Sequence, residues 1–314
     1  AILAADTTPA QLRQQVGQLF ARAANIAKTT SSKLQRRISA VKLLAYADSQ
    51  TAIASLPALL NPQSPRELQL AAVTALGSHD PIIATKPLLA SWRTYSPEVR
   101  RNVVDVMMKN SVAIQGLLAA VQADTINRSD IERDKKQLLM KHPNAAVKAT
   151  SIKLFGNEVS TDRGKIVAQM QNVLQLDTDP NRGLEVFRKK CSTCHQVGKI
   201  GTQVAPDLSS VKNKSEADLL ISILDPNREA QPNFNVYTVV TLQGQIFTGI
   251  IATETSNSIT LRRAEGKQDV ILRSNIDELI STGTSLMPEG FEKELTPQNI
   301  ADVIAFVKSI GDSK

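Results

Sequence analysis

The chain has 314 residues, 37 Lys and Arg against 30 Asp and Glu, a formal net charge of +7, and 42% apolar side chains, which fits two folded units and not a disordered tail. Two cysteines exclude a disulfide-stapled scaffold, no run approaches the roughly 20 apolar residues of a membrane span, and scattered Lys and Arg without a reader motif argue against nucleic acid. The opening Ala1-Ile-Leu-Ala-Ala has neither a basic n-region nor a full apolar h-region, so the chain is expected to be a mature protein or a cut fragment.

Residues 1–172 are rich in Ala, Leu, Gln and Lys, with apolar residues at helical spacing, and the expected fold class is mainly α. Four segments share a small or branched pair followed by a large apolar residue: Ala40-Val41, Ala72-Val73, Val103-Val104 and Ser151-Ile152. Ser64-Pro65 and Ser96-Pro97 are expected to open helices, serine as N-cap and proline at the first position. The pattern resembles HEAT-type helical-pair repeats, which stack into a curved layer and act as scaffolds or docking surfaces; an insertion at 123–136 accounts for the last, longer gap. This half has no paired carboxylates, no Gly-x-Ser-x-Gly and no phosphate-cradling loop, so no enzyme is read there. His79, before Asp80-Pro81, and His142, before Pro143, read as turn residues, and Trp92 and Tyr95 as packing residues.

Residues 173–314 carry the chemistry. Asn181 to Lys190 reads as a short amphipathic helix leading into Cys191-Ser192-Thr193-Cys194-His195. Two thiols and an imidazole at this spacing form a c-type haem attachment site, with Cys191 and Cys194 holding the porphyrin and His195 reaching the iron. Half a zinc site and a redox dithiol are the competing readings. Met287, in Ser285-Leu-Met-Pro-Glu-Gly290, is the sole methionine after the motif and the candidate second axial ligand; a gap-filling core methionine is the alternative. Alternation around glycine turns from Phe234 to Ser281 predicts a β meander, with strands in Val236–Leu242, Gln245–Ala252, Ile259–Leu261 and Val270–Leu272.

From about residue 175 the chain resembles a small single-haem cytochrome c domain. Gly183, Phe187, Cys191, Cys194 and His195 match that family's opening helix, and Ala301-Asp-Val-Ile-Ala-Phe-Val307 matches its closing one. Ala205-Pro206-Asp207-Leu208 stands where the family has Gly-Pro-x-Leu, so the resemblance implies that the Pro206 carbonyl orients His195. It also implies that Gly183, Phe187, Val303 and Phe306 meet where the two helices cross. The separation of 92 residues between His195 and Met287 exceeds a minimal cytochrome c. Leu219–Pro226, Tyr237–Gly244 and Ser285–Gly290 resemble the haem-binding domain of planctomycete and verrucomicrobial proteins, with Val239 one position later than that pattern's valine.

The resemblance therefore implies a HEAT-like helical repeat domain, 1–172, followed by a cytochrome c domain, 173–314, with a β insert at about 234–281. It implies one covalent haem c with His195 and Met287 as axial iron ligands. The expected function is electron transfer from a periplasmic, sugar-type dehydrogenase or other redox protein to a downstream acceptor, in an exported, periplasmic protein. A haem enzyme, such as a peroxidase or catalytic dehydrogenase subunit, and a non-haem scaffold or interaction protein are the alternatives. Through residue 180 there are 22 Lys and Arg against 14 Asp and Glu, and beyond it 15 against 16, so the basic repeats are expected to offer a docking face for an acidic redox partner or an anionic membrane surface, a solvated surface being the alternative.

Overall fold

The computed structural model describes residues 9–156, 161–228 and 232–310; the opening Ala1–Ala5 lies outside them. The chain is mainly helical with a small sheet. Among the described residues nine helices come first: α1 (Ala10–Lys28), α2 (Leu34–Leu44), α3 (Ser49–Ser55), α4 (Arg66–Leu76), α5 (Pro81–Ala90), α6 (Pro97–Met107), α7 (Ser111–Gln122), α8 (Arg133–Met140) and α9 (Ala145–Phe155). Eight of them pack in two rows, α2, α4 and α6 in one and α1, α3, α5, α7 and α9 in the other, and α8 packs against α9. The inward stripe of each follows from helical spacing: Leu68, Ala72, Val73 and Leu76 on α4, and Val99, Val103 and Met107 on α6, are all buried. Asp48, Asp80, Asn110 and Asn144 cap α3, α5, α7 and α9 by accepting backbone N–H bonds.

Two sequence expectations differ from this arrangement. The fourth repeat segment lies in α9, in the other row from the first three, and Ile152 points to solvent while Ser151, Leu154 and Phe155 face inward. Ser64 does not cap α4, whose cap position is Pro65. Ser96 does sit at the cap of α6, yet its hydroxyl donates to Glu254 Oε1 at 2.8 Å. The hydroxyl is turned toward this carboxylate of the sheet and caps no helix N–H group. His79 and His142 occupy turns, and Trp92 and Tyr95 are buried.

The remaining chain adds α10 (Thr161–Gln169), α11 (Pro180–Val186), a short pair β1 (Gln196–Val197) and β2 (Ile200–Gly201), and α12 (Glu216–Leu224). The sheet follows: β3 (Asn235–Thr241), β4 (Ile246–Glu254), β5 (Ser258–Arg262), β6 (Gln268–Leu272) and β7 (Ile276–Ser285). The chain then closes with α13 (Phe291–Glu294) and α14 (Pro297–Ser309). The sheet is antiparallel in the order β6-β5-β4-β3-β7. Four strands coincide with the expected meander; β7 is an addition, running past Ser281 along the far edge of β3 to Ser285. Val167 and Val173 pack with Leu219, Leu220, Ile300 and Ile304 in a core separate from that of the nine helices.

The sheet is tied to the helical rows by buried polar groups. Arg100 Nη1 donates to Asp130 Oδ1 at 2.5 Å and to Ser281 Oγ at 2.9 Å, Asn235 Nδ2 donates to the same Asp130 oxygen at 2.8 Å, and Trp92 Nε1 donates to Oδ2 at 2.9 Å. Arg273 bridges Glu254 and the Pro62 carbonyl. Fully buried charges persist only when paired and hydrogen-bonded in this way. The insertion at 123–136 thus has a local role, because it delivers Asp130 to Arg100.

Candidate functional site

The Cys-x-x-Cys-His turn is built by a helix that changes pitch. Asp179 caps α11, Pro180 starts it, and at Phe187–Cys191 it becomes a π turn, with Ser192 N donating to the Phe187 carbonyl at 2.9 Å. His195 N then donates to Cys191 O at 2.9 Å, and the following loop folds back: Thr202 N donates to Ser192 O, and Val204 N and Ala205 N both donate to Cys194 O. Gly201, at φ +87°, passes against the His195 carbonyl, where a Cβ would collide with it. Glu265, a non-glycine residue at φ +62°, donates its N–H to Thr193 O at 3.0 Å, so the sheet also holds this turn.

The expected helix crossing is present. A Cβ on Gly183 would meet the Asp302 carbonyl and lie 2.8 Å from Phe306 Cβ, and the Phe187 and Phe306 rings are 5.4 Å apart. Asp302, buried between α11 and α14, accepts from Arg182 Nε at 2.7 Å and Nη2 at 2.9 Å, and from Asp179 N at 2.8 Å.

His195 Nδ1 lies 2.8 Å from the Pro206 carbonyl oxygen. A carbonyl only accepts, so the proton sits on Nδ1 and the lone pair is on Nε2. Burial lowers the His195 pKa, against the opposing pull of the Pro206 bond, and keeps the ring neutral. Burial also pushes the Cys191 thiol up to about 11, with neighbouring Cys194 adding to the effect, and raises Cys194.

Cys191, His195, Pro206 and Met287 all line one cleft of about 490 Å³, walled by apolar side chains including Leu219 and Val303. Cys194 is not on its wall. The Met287 loop is held from three directions. Met287 N donates to Ser285 Oγ at 3.1 Å, Ser285 N donates to Asn227 Oδ1 at 2.8 Å, and Asn227 Nδ2 donates to Glu289 Oε1 at 2.6 Å. Arg163 of α10 donates to Glu292 at 2.9 and 3.0 Å while also binding the Leu224 carbonyl at the end of α12. Sequence reasoning missed Asn227 and Arg163, and missed Phe234 and Ile250 of the sheet as parts of the cleft wall. Nothing in local spacing marks them.

The structure corrects the expectation of one covalent haem c. Among the described residues no group of three or more His, Cys, Asp or Glu side chains comes together that could hold a metal ion. His195 brings one nitrogen and Met287 one thioether to the cleft, whereas a metal caged by side chains alone needs three or four donors. The same finding removes the zinc reading. Cys191 and Cys194 remain as a pair with Cys-x-x-Cys spacing. Among the described residues no helix is long and apolar enough to cross a membrane. No family model matches the chain, and no curated protein matches it.

Proposed function

We propose that this chain is an electron-transfer protein and not an enzyme. One observation carries the reading: an apolar cleft of about 490 Å³ is faced by a neutral, oriented imidazole from the Cys-x-x-Cys-His turn and by the thioether of a clamped loop. A dissociable redox-active molecule seated in that cleft would accept and release the electron. The chain's own part is to keep His195 in one tautomer through Pro206, present the Met287 sulfur, and exclude water with the Leu219 and Val303 walls. The two helical rows read as a HEAT-like solenoid joined to a module with the helix crossing of a cytochrome c. The basic repeats serve as docking face for an acidic partner, a periplasmic sugar-type dehydrogenase or other redox protein handing electrons to a downstream acceptor, and the working compartment is the periplasm.

The test uses the full chain purified from its native host. An absorption band that changes between dithionite and ferricyanide is the expected result, with the band displaced in Met287→Ala. Absence of any redox-responsive band would overturn the reading.

A further inference from the structure

A second cavity, of about 360 Å³, lies between the helical rows and the sheet, and electron transfer makes no use of it. One side is the start of α6, with Glu98 and Arg101; the other is β4 from Ile250 to Glu254, with Arg262 at the end of β5. Most charges on its wall are already matched. Glu98 pairs with Arg66 at 3.2 Å, Arg101 with Glu132 at 2.7 Å, and Glu254 with Arg273 and Ser96. Arg262 differs: it donates from Nη1 to the Gln203 carbonyl, its Nε is buried without a hydrogen-bond partner, and among the described residues it makes no ion pair.

Arg262 Nη2 makes no hydrogen bond among the described residues, so the guanidinium keeps free N–H donors for an acceptor that enters the cavity. We propose that this cavity binds a small carboxylic acid with an apolar body. The carboxylate sits on the Arg262 guanidinium, which presents its donors as a fork suited to two carboxylate oxygens. The body lies against Val204, Phe234 and Ile251. One unmatched cation suits one negative charge; the second charge of a phosphate would face Glu98 and Glu254. The volume is at the lower end for small-molecule sites, which limits the ligand to a compact acid. Phe234 and Ile250 also wall the first cleft, so the two cavities share a partition, but the site does not depend on what the first cleft holds.

Calorimetric titration of the full chain with benzoate, and with benzamide as neutral isostere, tests this. The expected result is saturable one-to-one binding of benzoate and none of benzamide, weakened about tenfold or more in R262Q and unchanged in R263Q, whose arginine is already paired with Asp269. A252F, which fills the cavity from β4, abolishes binding while keeping the far-ultraviolet circular dichroism of the parent, and carries the test should R262Q not fold. Absence of saturable benzoate binding, equal binding of benzamide, or a folded R262Q that binds as tightly as the parent overturns the proposal.

Discussion

Replacing Gly183 by alanine tests whether the α11–α14 crossing positions the cleft. A Cβ there would stand 2.6 Å from the Asp302 carbonyl carbon and 2.8 Å from Phe306 Cβ, whereas ordinary contact begins near 3.4 Å. The Asp302 carbonyl oxygen lies closer still, so the two helices must separate by more than about 0.8 Å at this point, and a gap of that size forfeits about half of each dispersion contact it opens. Overpacking of this kind costs about 1–3 kcal/mol, and loosening the Phe187–Phe306 ring pair adds up to about 1 kcal/mol. Alanine recovers about 1 kcal/mol of helix propensity over glycine. The net expectation is a loss of about 2 kcal/mol, read as a lowered midpoint in urea unfolding at unchanged slope. Because Phe187 leads directly into the π turn, the separation also displaces Cys191. A G183A protein as stable as the parent would refute the close crossing as the element that fixes this turn.

Three further outcomes follow from the same structure. At Asp302 burial acts to raise the pKa but is outweighed by Arg182, the Asp179 N–H and Gln298, leaving the group below its ordinary value of 3.8. Its contribution to stability is therefore complete above that value and lost as pH falls toward the lowered one; urea midpoints at pH 6, 4 and 3 should fall less steeply in D302N, and identical profiles would contradict the clamp. R100M leaves Asp130 buried without its cation and is expected to cost about 3–5 kcal/mol, measured by thermal or urea unfolding, with a cost under about 1 kcal/mol counting against the network. With the Cys191 thiol pushed up to about 11 by burial and by Cys194, the free thiol should be alkylated by iodoacetamide far more slowly at pH 7.5 than a model thiol. Mass spectrometry of the labelled peptide checks this, and rapid labelling would contradict the raised thiol pKa.

Local order reads directly from this chain wherever one face of an element is buried. Leu68, Ala72 and Leu76 announce α4 because a helix returns every 3.6 residues, and the meander is visible because β3 alternates half-buried and buried positions from Asn235 to Thr241. Legibility fails where long-range contacts override the local pattern. Ser96 looks like an N-cap and instead serves Glu254, 158 residues away; Ile152 looks like a core residue, yet its row turns it outward. β7 pairs with β3 through register shifts, which blur the alternation that would have marked it.

What the sequence determined by itself is the chemistry at fixed spacing: two thiols and an imidazole within five residues. Only the tertiary structure decided that Met287, 92 residues after His195, faces the same cleft. That juxtaposition rests on Asn227, Arg163 and the sheet wall at Phe234 and Ile250, and on Arg100 and Arg273 anchoring the sheet to the helices. Covalent spacing is carried by the chain, but a shared cavity exists only once distant elements have buried their apolar faces and matched their buried charges.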